Sequence, residues 1–182
     1  MQIITGRYRA RKLVAVDSLN TRPTLARVKE SVFNLISDRV NGAIVLDLFA
    51  GSGSYGAECI SRGAESVYFV DQSEKAIKTI KTNTKNMTER FEVIKSGFIE
   101  ALNNFEKKGL TFDLVFIDPP YDSDFAIRAL KMLAEKKLLN RASTLVVEHK
   151  FINDLQNLLE CYIIKKSRRY GIAYVDILEY NE

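Results

Sequence analysis

Apolar and polar positions along the chain follow two alternating periods. Short, nearly unbroken apolar runs occur at "AIVLDLF" (43–49), "SVYFVD" (66–71), "FEVIKS" (91–96), "DLVFID" (113–118) and "STLVVEH" (143–149). Their length and β-branched content suit strands buried on both faces. Between them, the stretches near 55–62, 73–86, 98–108, 123–137 and 151–159 place apolar residues at helical spacing. In "DQSEKAIKTIKTN", Ser73 reads as an N-cap, with Ala76, Ile77 and Ile80 on one helical face. Strand and helix in alternation predict a parallel sheet covered on both sides. The final segment breaks this rhythm. "YIIKKSRRYG" and "IAYVDILEY" meet at Gly171 with no helix between them, which predicts a hairpin and an antiparallel strand.

Ahead of the first strand, "TLARVKESVFNLISDRV" (24–40) reads as a helix with Val28, Val32, Leu35 and Ile36 on one face. "IITGRYRARKLVAV" alternates as a small hairpin would. Residues 1–40 are therefore expected to form an extension, too short to be a domain, on a single unit spanning 41–182.

Charge is distributed unevenly. Residues 1–30 hold seven basic side chains against two acidic ones, while the whole chain carries only +4, so the remainder is close to neutral. A basic arm on a neutral body is an electrostatic footprint for a polyanion, and equally the composition of a solvated terminus. The 182 residues suit one domain with a full core. No apolar run approaches the length of a membrane span, and "MQIITGRYRARKL" has no signal-peptide apolar segment. Cys59 and Cys161 lack metal-ligand spacing and read as free thiols of a reducing compartment. The expectation is a cytoplasmic protein.

Ligands of open α/β sheets bind where the strands end. The first strand ends "LDLFAGSGSYG", in which Gly51, Gly53 and Gly56 form a G-x-G-x-x-G turn that lets the backbone approach a ligand. Asp71 ends the second strand, 20 residues after Gly51, where it could accept hydrogen bonds from ribose hydroxyls. Such a turn suits a dinucleotide or S-adenosylmethionine. Asp47, just before the turn, favours a ligand with an ammonium group over a pyrophosphate. No second domain is present to hold a hydride acceptor. The fourth strand then delivers Asp118-Pro119-Pro120-Tyr121.

Two prolines end a strand and fix the backbone. An exocyclic amine of a nucleobase is a poor nucleophile, because its lone pair is delocalised into the ring. Two acceptors on its N–H bonds favour a more tetrahedral nitrogen, and both bonds strengthen as charge develops in the transition state. The Asp118 carboxylate and the Pro119 carbonyl would be those acceptors, and Tyr121 a surface on which a flipped-out base stacks. His149 is the chain's single histidine and reads as structural or supporting. "KKSRR" (165–169) reads as a solvated hairpin end.

"DLFAGSGSYG", "FVDQSEKAI" and "FIDPPY" resemble the glycine-rich, ribose-binding and catalytic motifs of class I S-adenosylmethionine-dependent amino-methyltransferases. With "ITGRYRARKL" and "TRPTLARVKESVFNLI" they resemble, more narrowly, the RsmD family. That resemblance implies a Rossmann-like α/β fold, a seven-stranded, mostly parallel sheet of order 3-2-1-4-5-7-6 with one antiparallel strand. It implies methylation of a guanine N2 in 16S ribosomal RNA, by a monomer acting on a small subunit or its precursor, with S-adenosylhomocysteine as product and no metal. Asp47, Phe49, Ala50, Gly51, Ser52 and Gly53 would hold the methionine part. Asp71 and Gln72 would hold the ribose, and Gly97 and Phe98 the adenine. Arg7, Arg9, Arg11 and Lys12 would touch RNA phosphates. Arg22, Pro23, Thr24 and Arg27 would order the arm beside the active site. Gly97 departs from the family pattern, which has Asp or Asn there to read the adenine amino group. The rival reading is an adenine-N6 amino-methyltransferase acting on DNA or RNA, but sequence-selective DNA enzymes usually carry a recognition module that this chain lacks.

Overall fold

In the computed structural model of the chain, residues 1–16, 23–120, 124–150 and 160–181 are described, with backbone alone for residues 23–25. The expected helix at 151–159 lies outside the described residues. Seven strands form one sheet: β1 (Ile44–Asp47), β2 (Ser66–Asp71), β3 (Phe91–Lys95), β4 (Phe112–Ile117), β5 (Leu139–His149), β6 (Tyr162–Tyr170) and β7 (Ala173–Tyr180). Their order is β3-β2-β1-β4-β5-β7-β6. The first five are parallel, whereas β7 runs antiparallel to both β5 and β6. The Rossmann-like order and the antiparallel tail match the expectation.

The helices α1 (Pro23–Leu35), α2 (Ser54–Ser61), α3 (Glu74–Asn83), α4 (Phe98–Lys107) and α5 (Phe125–Glu135) divide between the two faces. Val28, Val32 and Phe33 of α1, Ala57 and Ile60 of α2 and Ile77 and Ile80 of α3 pack on Val45, Phe69, Phe116 and Val146. Leu102 and Phe105 of α4 and Leu130 and Leu133 of α5 pack on Leu46, Val70, Val115 and Val147 from the other side. Strand residues alternate between these two clusters, as a period of two requires.

Three elements differ from their expected form. Strand β5 starts at Leu139 rather than 143, because Leu139 pairs with Phe112 before an irregularity that includes Ala142 at φ +60°. The expected helix at 24–40 ends at Leu35, and Ser37–Arg39 make one 3-10 turn; Ser and Asp there compete for backbone hydrogen bonds. The N-terminal hairpin is a closed loop rather than a ladder, joined by a single bridge between Gln2 and Lys12. Gly6 and Ala10, both at positive φ, curl its tip too tightly for paired strands. Ile3 and Leu13 nevertheless enter the same core cluster as α1 and α2.

Candidate active site

Register brings three carboxylates to one edge of the sheet. Asp47 pairs with Phe116, and Ile117 with Val147, so Asp118 and Glu148 follow side by side at adjacent strand ends. With a period of two, Asp47, Asp118 and Glu148 all belong to the α1–α3 side. The next strand along the edge ends in Asp71.

The glycine turn is held by two of these acids. The Asp71 carboxylate accepts the Gly51 N–H at 2.8 Å through one oxygen and the Ser73 N–H at 2.8 Å through the other. The Asp47 Oδ2 accepts the Gly56 N–H at 3.0 Å. Gly53 sits at φ +73°, a left-handed conformation that costs glycine nothing, and precedes α2. Gly56 is required for a different reason. A Cβ there would lie 2.2 Å from the Phe69 ring, so α2 can cross β2 this closely only with a bare backbone.

A cavity of about 660 Å³ opens above the strand ends. Phe49, Gly51, Asp71, Gln72, Ser96, Gly97 and Phe98 line one part, and Asp118, Pro119, Pro120 and Glu148 another. Phe125 and Arg128 of α5 complete it. Its apolar wall is an aromatic cluster: Phe98 lies 5.3 Å from Phe49 and 5.2 Å from Phe125, ring to ring. A smaller recess of about 150 Å³, lined by Asp47, Phe49, Gly51, Lys29, Asp118 and Glu148 among others, shares four of these residues with the larger cavity.

The acids crowd one another. Burial pushes the Asp47 carboxyl up to about 7, with the Asp71 charge adding to the rise and the Gly56 N–H opposing it. Asp118 is raised well above the ordinary carboxylate range by reduced hydration, then by repulsion from Glu148 and Asp47. Its side chain opens on the cavity, with the Glu148 and Asp47 charges behind it.

A family described as conserved hypothetical protein 95 matches residues 1–179. The chain belongs to this family, that of RsmD. It is 36% identical over 179 residues, 97% of each chain, to YlbH of Bacillus subtilis, described as a candidate rRNA methyltransferase. It is 35% identical over 151 residues to the ribosomal RNA small subunit methyltransferase D of Haemophilus influenzae, covering 81% of this chain and 78% of that one. The solved structure of Escherichia coli yhhF, described as a candidate methyltransferase, superposes with a TM-score of 0.89 at 26% identity over 100% of this chain and 98% of the other.

In this RsmD-family chain the N-terminal segment is fastened to α2 by an unforeseen residue. Glu58, fully buried, accepts the Ile4 and Thr5 N–H groups at 2.8 and 3.0 Å. It also pairs with Lys29 at 3.1 Å and Arg62 at 2.9 Å. Ser61 adds a bond from its hydroxyl to the Thr5 carbonyl and accepts the Tyr8 N–H. Asn83 ties the same segment to the glycine turn, accepting the Val14 N–H and donating to the Val14 and Ser52 carbonyls.

The basic residues expected to meet RNA are spread along this segment. Arg7 is exposed and pairs with Glu89 at 3.0 Å. Arg11 donates to the Lys85 carbonyl and lies over the Tyr8 ring. Arg9 and Lys12 are exposed, and Arg27 borders a surface groove with Arg168. Arg22 and Tyr121 lie outside the described residues, as do the side chains of Pro23 and Thr24.

His149 stands behind the site rather than in it. Its Nε2 lies 2.9 Å from Asp176 Oδ2 and its Nδ1 2.6 Å from the Lys150 carbonyl. Burial works against a charged ring, but the Asp176 and Lys150 bonds outweigh it and raise the pKa above its usual value. The ring thereby fixes the end of β5 next to Glu148.

Among the described residues no group of acids, histidines and cysteines could hold a metal ion, and no helix is long and apolar enough to cross a membrane.

Proposed function

We propose that this protein transfers a methyl group from S-adenosylmethionine to the exocyclic N2 amine of a guanine in small-subunit ribosomal RNA. The observation that carries this reading is one continuous cavity lined by Asp71 and the glycine turn at one part and by Asp118, Pro119 and Pro120 at another. The small-subunit rRNA methyltransferase named among the relatives supports the substrate class.

The residues fit the cofactor. Gly51 brings bare backbone to the cavity, and a Cβ there would have no neighbour nearer than 4.0 Å, which leaves room for a ligand's methionine part. Asp47, in the adjoining recess, is the counter-charge for its ammonium. Asp71 spends one bond per oxygen on backbone N–H groups, and each oxygen keeps a lone pair for a ribose hydroxyl. Phe98, Ile99 and Phe125 provide the apolar surface for adenine. Bound there, the cofactor supplies an electrophilic methyl group.

The chain's own contribution to the chemistry lies at 118–120. The Asp118 carboxylate and the Pro119 carbonyl accept the two N–H bonds of the amine and draw its lone pair out of the ring. As the N–CH₃ bond forms, nitrogen becomes cationic and must release a proton. The raised proton affinity of Asp118 suits it to take that proton and pass it to solvent. Electrostatic contacts aimed at such developing charge are worth about two to three orders of magnitude in rate.

Two measurements test this. Asp118→Ala should bind S-adenosylmethionine as the wild type does while methyl transfer falls at least about 100-fold; unchanged turnover would remove Asp118 from the mechanism. Mass mapping of small-subunit RNA from cells lacking the protein should show one N2-methylguanosine missing. A complete set of N2-methylguanosines would refute the substrate assignment.

A further inference from the structure

The amine clamp leaves Glu148 without an assigned role, although it lines both the main cavity and the recess beside Asp118. It is 6% exposed, sits one strand away from Asp118 in register, and is close enough to raise that acid's proton affinity by repulsion. Neighbouring strands lie about 4.8 Å apart, so two carboxylates on adjacent strand ends face one ligand edge.

Resting on the proposed guanine reading, we infer that Glu148 is the specificity-determining acceptor for the base, taking the N1–H of guanine while Asp118 takes an N2–H. The Watson–Crick edge of guanine presents N1–H and N2–H₂ side by side, two donor groups for two carboxylates. Adenine presents an amine next to N1, which is an acceptor. Against a carboxylate that lone pair has no proton to share, and two acceptors are buried facing each other. Sites built to bond a substrate N–H reject the analogue lacking it far more strongly than apolar pockets reject a missing methylene, because their own polar group is left unpaired. Glu148 thus supplies base selectivity to an amine clamp that by itself would accept guanine or adenine.

The discriminating probe is 2-aminopurine, which keeps the N2 amine of guanine but carries a bare N1. Once mass mapping has located the methylated guanine, small subunits are reconstituted with guanine or 2-aminopurine at that position. The wild type should methylate guanine roughly 10- to 100-fold faster than 2-aminopurine. Glu148→Gln can accept from guanine N1–H or donate to a bare N1, and should bring the ratio to within about threefold. Glu148→Asp keeps an acceptor and should preserve the preference at reduced rate, which separates loss of selectivity from loss of fold. Equal wild-type rates on the two bases overturn the inference. A preference that survives unchanged in Glu148→Gln also overturns it, and assigns both donors to Asp118. Wild-type enzyme that leaves guanine unmethylated would instead refute the proposed function, and this inference with it.

Discussion

Replacing Glu58 by Ala removes four partners at once: the Ile4 and Thr5 amides, the Lys29 ammonium and the Arg62 guanidinium. These losses are unequal. Arg62 retains 13% side-chain exposure and can turn to water, and the two amides are near the surface. Lys29, at 4%, cannot. Burial already holds its pKa below the ordinary lysine value, and Glu58 is the largest influence opposing that. Breaking a buried pair by removing one partner costs about 3–5 kcal/mol, and the mobility of Arg62 and the amides places this case near about 3. For a chain of this size that is a fall in Tm of roughly 6–12 °C. Calorimetry of the wild type, Glu58→Ala, Lys29→Met and the double variant forms the assay. The double variant should be at least about 1 kcal/mol more stable than the summed single losses predict, because it no longer buries an ammonium whose remaining partner is the neutral Gln2 carbonyl. Hydrogen exchange should show Ile4, Thr5 and Tyr8 losing protection together. Additive losses in the cycle would refute the reasoning, since they would mean that Lys29 and Glu58 are not coupled.

Three further outcomes are expected. Gly97 caps α4 with ordinary φ and has nothing within 4 Å of a Cβ, so Gly97→Asp should fit, gain roughly 0.5–1 kcal/mol at the helix N-terminus, and tighten S-adenosylmethionine about 3- to 30-fold by accepting the adenine amino group; unchanged calorimetric affinity would place adenine elsewhere. Because Asp47 is pushed up to about 7 and must be ionised to meet an ammonium, cofactor affinity should fall by up to about tenfold per pH unit below 7 and lose that dependence in Asp47→Asn; equal slopes in both proteins would exclude Asp47 as the counter-ion. Replacing Arg7, Arg9 and Arg11 by Ala should lower the salt dependence of RNA binding by about one log–log unit for each phosphate no longer neutralised; since Arg7 and Arg11 already hold Glu89 and the Lys85 carbonyl, a drop of only about one would leave Arg9 as the residue that meets phosphate.

Short runs rich in apolar and β-branched residues and bounded by turn residues announce strands by composition, which is why β1–β4 were legible within two residues at either end and the antiparallel tail within one, the exposed edge strands β3 and β6 included. Strand β5 was not, because "LNRAS" is polar and kinked, and it joins the sheet through pairing with Phe112 rather than by its own pattern. That the glycine turn, Asp71 and the Asp-Pro-Pro step would meet at one cavity was readable because each ends or directly follows a strand of the parallel sheet in chain order. Glu58 was invisible for the opposite reason: its partners lie 53 and 54 residues away, and within "SYGAECIS" it looks like any surface helix position. Glu148 occupies an intermediate place. Nothing in "VVEHK" marks it, but aligning the ends of the fourth and fifth strands would have set it beside Asp118. Phe125 and Arg128 could be found only from the packing of α5 across the cavity.

The insertion of β7 between β5 and β6 has a consequence for synthesis. Asp176 on β7 holds His149, and His149 holds the strand end that carries Glu148. While a nascent chain has not yet delivered residues 173–180, β5 is an open edge and its terminal acid is unanchored. The turn near Gly51 can close long before that point, because all of its partners have already been made. On the proposed function, cofactor capture should therefore mature earlier on the ribosome than base selection, and a chain arrested ahead of β7 would hold its donor before it could choose its acceptor.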